Sequence, residues 1–336
     1  MRLMWILVSC AFVAMVAPAG AWGGAGHTLV SRAAALALPD TLPAFVRSPA
    51  AVDEIAALGP ELDRSKDAGR SHDMDRDPGH YADIGDDGKI AAVVDPRSLP
   101  VSREAYDTAL RAAGTDQYKM GFLPFSIVDG WQQVAKDFAI WRVDRVGEEK
   151  AADPIERTWF AGDMALRETL TLRDIGVWSH YVGDGSQPLH VSVHYNGWGN
   201  FPNPNGYTTA TTTHAAFEGA FVRSHATLQA VRAKMRPLAE SATPIADAVG
   251  TYLEASASQV VPLYELEKHG DFANGTPAAV DFVDARLADG ATELRDLIVD
   301  AWAASSTVKV GYPNGITPAE AENGWSPAKS RVAPTD

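Results

Sequence analysis

Nine histidines occur in this chain of 336 residues, and three of them fall in two tight groupings with acids. In SHYVGDGSQPLH, His180 and Asp184 stand four residues apart, which puts both on one face of a predicted helix, and His190 returns after a short turn. THAAFEG repeats the spacing with His214 and Glu218. Imidazole and carboxylate together suit divalent zinc, whereas calcium takes oxygen ligands only. One such pair on a helix is commonly a weak surface ion pair. Two pairs with a third histidine beside them favour a metal site.

The elements that must position these residues read as helices. Amphipathic periodicity runs over 29–45, 103–113, 126–145, 157–182, 214–235, 244–268 and 277–303, with Ser102 and Thr276-Pro277 as helix starts. Strand signals are scarce, so the expected class is all-α: a single multi-helix domain over residues 22–310 with long functional loops and a trinuclear metal cleft. Segments 63–100 and 196–213 are dense in Asp, Gly, Pro and Asn, and are the expected functional loops. From Gly311 to Asp336 the composition predicts a mobile C-terminal tail.

Arg2, the apolar run 3–16 and the small residues Ala19, Gly20 and Ala21 predict a secretory signal peptide over 1–21. Cleavage before Trp22 would make the protein secreted or periplasmic. A lipid-attachment reading of Leu7-Val8-Ser9-Cys10 is disfavoured, because too little apolar chain precedes Cys10. Cys10 is the chain's only cysteine, so the mature protein is expected to have no disulfide. The net charge of −14 argues against an extended basic groove for duplex nucleic acid. It argues less against a metal-centred phosphodiesterase, whose cations offset part of that charge.

WGGAGH, ELDRSKD, GHYADI, SHYVGDGSQPLH and HAAFE occur in that order between positions 22 and 218. In this ordered set the chain resembles the superfamily that joins zinc-dependent bacterial phospholipases C and single-strand-specific type I nucleases. The resemblance implies three zinc ions: one on Asp63, His80, His180 and Asp184, and a second on His190, His214 and Glu218. The third would sit on the terminal amine and carbonyl oxygen of Trp22 with His27, sharing Asp184 as a bridge. Signal cleavage would then be part of the chemistry. Such a cluster lowers the pKa of a bridging water and cradles phosphate oxygens during in-line attack. Asp63 would also act as the catalytic residue that orients or deprotonates the attacking water, a role secondary to ligation.

Asp67, Asp73, Asp75 and Asp77 lie near Asp63 and are expected to be solvated loop charge. His72 is expected at the surface, His194 has no matching motif, and His225 and His269 read as ordinary helix residues. Tyr81 and Trp198 would line the substrate cleft or pack in the core.

The substrate is less closely fixed. The Trp22-to-His27 spacing and Gly199-Asn200 are similar to the nuclease branch. Glu218, the cysteine-free mature chain and YKMGFLPFSIVDGWQQVAKDFA are similar to the phospholipase C branch. The long insert between His80 and His180 departs from both. The leading expectation is therefore a phospholipase C-like hydrolase acting on phospholipid, with transient contact at a membrane surface. The alternatives are a nuclease or 3′-nucleotidase acting on single-stranded nucleic acid, and a non-catalytic protein whose zinc only holds loops together. No protein partner is implied.

Overall fold

The computed structural model describes residues 22–66, 68–239, 243–311 and 315–324, leaving out the side chains of Arg70 and His72. The predicted signal segment 1–21 with Cys10, Asp67 and the last part of the predicted tail lie outside the described residues. The principal helices are α1 (Gly23–Ala35), α2 (Pro49–Leu58), α3 (Arg70–Arg76), α4 (Arg103–Ala112), α5 (Leu123–Lys150), α6 (Pro154–Ser186), α7 (Leu228–Lys234), α8 (Ile245–Ala257), α9 (Val260–Lys268), α10 (Pro277–Ala304) and α11 (Pro318–Glu322). Among the described residues β structure is limited to isolated bridges, and the class is all-α as expected.

α5 and α6 form the frame. A connection of three residues, 151–153, turns the chain back on itself and packs these two long helices against each other. Both begin with Pro in the first turn, where its missing N–H costs nothing, and Asp153 caps α6 by accepting from the Ile155 N–H. α1 and α10 pack onto this pair. Val30, Ile127, Phe138, Ile175, Val182, Leu287 and Ile298 are fully buried between them, each worth about 1.5–3 kcal/mol of transfer from water. At Gly176 an added Cβ would stand 2.6 Å from the Leu58 Cβ, so only glycine allows α2 to lie this close to α6. That approach delivers Gly59, at the end of α2, to the part of α6 that carries His180.

The helix starts agree with the sequence better than the continuity does. Ser102 accepts from the Ala105 N–H at the start of α4, and Thr276 from the Ala279 N–H at the start of α10. The expected helix over 29–45 instead ends at Ala35, because Pro39 and Pro43 cannot continue it. The stretch 244–268 is two helices, α8 and α9. Pro262 lacks an N–H and its ring excludes the helical carbonyl four residues back, so the helix breaks at Ser258-Gln259 and restarts with Pro262 in its first turn. The stretch 214–235 breaks at Ala226-Thr227, where Thr227 caps α7. Segment 63–100 is not plain loop, since it carries α3 and the 3₁₀ turn Asp77–His80.

The expected mobile tail needs a further correction over 315–324. There Thr317 and Glu320 form a capping box, and Ala321 is buried with Val143, Val146 and Phe160 in a second, smaller core at the end of α5. Among the described residues no helix is long and apolar enough to cross a membrane.

Candidate metal centre

Five chain segments converge on the end of α6. The last turns of α6 supply His180 and Asp184, both with no exposed surface, and the 3₁₀ turn Pro188–His190 supplies His190. His27 comes from the first turns of α1, Asp63 from the turn Glu61–Ser65, and His80 from the turn Asp77–His80. His214 and Glu218 flank the junction at which an α turn passes into the π-helical segment Ala216–Phe221. Wide turns of that kind are rare and recur at functional sites. Here the widening does not part the pair, whose Nε2 and Oε2 atoms are 2.8 Å apart. All eight side chains expected from the sequence as ligands meet in one place.

They form three groups whose ligand atoms lie within 4.8 Å of one another: His27, His180 and Asp184; Asp63, His80 and His180; and His190, His214 and Glu218. Asp184 joins the first two. Its Oδ1 is 3.5 Å from His27 Nε2, and its Oδ2 is 3.0 Å from His80 Nδ1 and 3.4 Å from His180 Nε2. His180 Nε2 is also 3.5 Å from Asp63 Oδ1 and 3.1 Å from His80 Nδ1.

Main-chain carbonyls fix which nitrogens are free to bind a cation. The Nδ1–H of His180 donates to Gly59 O at 2.8 Å, that of His190 to His80 O at 2.7 Å, and that of His214 to Tyr195 O at 2.9 Å. Each ring therefore turns Nε2 into the cluster, where His214 Nε2 also meets the Gln187 amide nitrogen at 3.3 Å. His190 Nε2 and His214 Nε2 face each other at 3.2 Å. Two buried ring nitrogens so placed need a proton or a metal cation between them, and against burial the Asp184 and Glu218 carboxylates raise the His190 pKa, favouring positive charge at this point. Zinc–nitrogen bonds of 2.0–2.1 Å in a tetrahedral shell set ligand nitrogens about 3.3 Å apart, so the spacing fits. In addition, both ring nitrogens of His27, Asp184 Oδ1 and Glu218 Oε1 are buried without a hydrogen-bond partner. Unpaired polar atoms in that number are costly in a folded protein unless a ligand satisfies them.

Electrostatics point the same way. Burial holds the His180 ring down at about 4 and His27 well below its ordinary value, so both are neutral imidazoles near pH 7. Burial lifts the Asp184 carboxyl to about 6. Glu218 is opposed by burial too, but His214 and His190 beside it outweigh that and hold it at about 2. Three carboxylates and five imidazoles thus make a donor set suited to borderline-soft divalent cations. The residues show a metal-competent centre; which metal it takes is not fixed by them.

Trp22 lies at the same place. Its indole is fully buried, and Nε1 donates to Gly183 O and Ser186 Oγ, both at 2.9 Å, on either side of Asp184. A Cβ on the next residue, Gly23, would meet Glu218 O at 3.4 Å. The start of the described chain is thereby pinned between the segments that carry Asp184 and Glu218. Gly183 has its own steric reason: a Cβ there would stand 3.0 Å from His27 Nδ1.

A cavity of about 440 Å³ opens over the centre, and His80, His190 and His214 form part of its wall with Tyr81 and Tyr195. Tyr81 is thus a cleft residue, whereas Trp198 is buried against Tyr207 and Tyr264 and belongs to the core. His225 and His269 are exposed; His225 lies in a helix as expected, whereas His269 stands just past the end of α9. Asp77 lines the cleft, while Asp75 lines a neighbouring groove.

Two residues beside the cluster escaped the sequence reading. Lys66 places Nζ 2.7 Å from Asp63 Oδ1 and lines the cleft; three residues after a predicted ligand, it was legible only as one more loop charge. Gln187 is fully buried, donates from Nε2 to Glu218 Oε2 at 3.1 Å, and accepts the Leu189 N–H at 2.6 Å. It lies inside SHYVGDGSQPLH, but only the folded chain shows that it orients the carboxylate of Glu218. Comparison with models of protein families, with curated proteins and with solved structures gives no match to this chain.

Proposed function

We propose that this chain is a secreted or periplasmic zinc-dependent phosphodiester hydrolase, of the phospholipase C type, working at the His27–Asp63–His80–His180–Asp184–His190–His214–Glu218 centre with Trp22. The observation that carries the reading is the pair of Nε2 atoms of His190 and His214, held 3.2 Å apart in the wall of an accessible cavity. A structural zinc site is closed by protein ligands, whereas a catalytic one keeps an open side, so the cavity favours catalysis over the structural alternative. Zinc bound there would supply water that ionises near neutral pH and positive charge towards phosphate oxygens.

The chain's own residues divide the remaining work. Asp63 faces the centre beside Lys66 and is placed to orient the attacking water. Burial works against the Lys66 ammonium, but Asp63 and Asp184 outweigh it and raise its pKa, so it stays cationic and offers a counter-charge for phosphate. Tyr81 and Tyr195 with Asp77 and Asp83 form an aromatic and acidic cleft wall suited to a quaternary ammonium head group. Burial of Asp83 raises its carboxyl to about 7.

A second reading, a nuclease acting on single strands, draws on the same wall. Tyr195 is 55 % exposed, and Tyr81 and Lys119 line the cleft with it, an arrangement also fit to stack bases and hold a backbone phosphate. The zinc-loaded chain beginning at Trp22, assayed on phosphatidylcholine vesicles and on single-stranded DNA with and without chelator, separates the two. Chelator-sensitive phosphocholine release without DNA cleavage is the expected result. Cleavage of DNA alone would transfer the assignment to the nuclease, and zinc retained with silence on both would return it to a structural role.

A further inference from the structure

His194, for which the sequence offers no motif, is the most constrained histidine outside the metal centre. Its ring is 2 % exposed and lies flat on the Trp198 indole, with centroids 3.7 Å apart and planes 15° from parallel. Nδ1 is 3.0 Å from Trp198 O, and Nε2 meets the Asp86 carboxylate at 2.8 Å. Its main chain is tied as well: Tyr264 Oη donates to His194 O at 2.6 Å, and His194 N–H donates to Ser192 Oγ at 3.0 Å. Every polar group of the residue is committed.

The next two residues explain what this rigidity serves. Tyr195 O accepts the Nδ1–H of His214 at 2.9 Å, and Asn196 Oδ1 accepts the His214 main-chain N–H at 3.3 Å. Segment 195–196 therefore sets both the ring orientation and the main-chain position of a metal-facing histidine. That segment is otherwise part of a polar, glycine-containing loop, and the ties at His194 and Trp198, with Trp198 N–H to Thr208 O (2.7 Å) and Val193 N–H to Ile84 O (3.1 Å), help hold it in register. Asp86 sits on a separate loop, where its side chain is 63 % exposed, and bonds across 108 positions of sequence.

We propose that Asp86 and His194 are positioning residues for the metal group of His190, His214 and Glu218, acting through the Tyr195 carbonyl on the His214 ring. The proposal rests on the metal-centre reading and extends it to a pair of residues that touches no metal ligand. Groups that orient a ligating histidine from outside typically change metal affinity by about 10–100-fold when removed. Here the effect is confined to one metal group, because only His214 receives its orientation from residue 195.

The test is equilibrium competition of a chromogenic chelator for zinc on the zinc-loaded exported protein. The variants are Asp86→Asn, Asp86→Glu, His214→Ala and the double variant Asp86→Asn with His214→Ala. Because Asp86 is exposed, its substitution spares the core, and thermal unfolding of the zinc-free forms checks that the fold is intact. In Asp86→Asn one zinc ion is expected to be lost at about tenfold lower chelator concentration while the others are unmoved. Asp86→Glu should restore most of that difference, and in the His214→Ala background Asp86→Asn should add nothing. Unchanged zinc retention in Asp86→Asn would overturn the positioning role, as would equal loosening of every ion or an undiminished effect without His214. A wild-type protein that binds no zinc would overturn the metal centre itself and this proposal with it.

Discussion

His190 Nε2 and His214 Nε2 stand 3.2 Å apart inside the protein, on rings whose Nδ1 protons are already committed to the carbonyls of His80 and Tyr195. The main chain thus holds two ring nitrogens against each other, at a spacing that a shared cation fits. Folding prepares the site before any metal arrives, since the contacts that fix the two rings are made by protein alone.

The placement of Trp22 makes the chain's processing testable. Its indole is bonded on both sides of Asp184, and in a chain that starts at Trp22 a residue added ahead of it would convert the terminal amine to an amide. A chain starting with one extra alanine before Trp22 is expected to bind one zinc fewer than the chain starting at Trp22, and to lose at least about 10²-fold in kcat. Metal analysis after gel filtration reads the first effect; equal zinc content in the two chains would refute the role of the amine.

Lys66 should separate substrate turnover from metal binding. Its Nζ is bonded to Asp63, and it lines the cleft rather than joining a metal-competent group. Lys66→Met is expected to lower kcat/KM about 10²-fold, by analogy with the loss of one preorganised donor to a developing oxyanion, with zinc content unchanged. Loss of zinc in this variant would show instead that Lys66 acts by holding Asp63.

How much of this centre the sequence displayed depends on distance along the chain. His180 with Asp184, and His214 with Glu218, are visible because helical period puts residues four apart on one face. His27, Asp63 and His80 became candidates only through the order of motifs, since nothing local brings them to α6. In the structure that task falls to tertiary contacts such as Gly176 against Leu58 and Gly183 against His27. The π-helical passage through Glu218, the amide of Gln187 and the tie from Asp86 to His194 leave no periodic trace, because each depends on what folding sets beside it. Helix breaks at Pro39 and Pro262 were present in the sequence as prolines; apolar periodicity on both sides masked them.

Protons should compete with zinc below neutrality. Burial holds Asp184 at about 6, so as pH falls through that value the bridging carboxylate takes up a proton that zinc must displace. His180, held at about 4, stays neutral over the same range and contributes no further competition until lower pH. Burial opposes charge on the His190 ring, but the Asp184 and Glu218 carboxylates outweigh it and raise the ring above its ordinary value, so it too exchanges a proton for zinc in this range. Zinc affinity is expected to fall from pH 7 to pH 5, with proton release on binding detectable by calorimetry in buffers of different ionisation enthalpy, and affinity independent of pH between 5 and 7 would count against both Asp184 and His190 as ligands.

A second pH effect should arise away from the metal. Asp144 is fully buried on α5; burial first, and then the nearby Asp163 carboxylate, raise its carboxyl to about 8. A folded value above the unfolded value of about 4 means that the native state holds the proton more tightly. The stabilisation is complete below about pH 4 and is lost as pH rises through 8, on the order of a few kcal/mol. Asp144→Asn removes the titration, so its Tm should fall less than that of the wild type between pH 6 and 9, and parallel Tm curves would show that Asp144 does not titrate with folding.

The central claim is that three metal ions share this site, and crystals of the zinc-loaded chain tested at the zinc absorption edge address it most directly. Three anomalous peaks are predicted: one among Asp63, His80, His180 and Asp184, one among His190, His214 and Glu218, and one beside His27, Asp184 and the Trp22 amine. A map with no peak between His190 Nε2 and His214 Nε2 in protein saturated with zinc would contradict it.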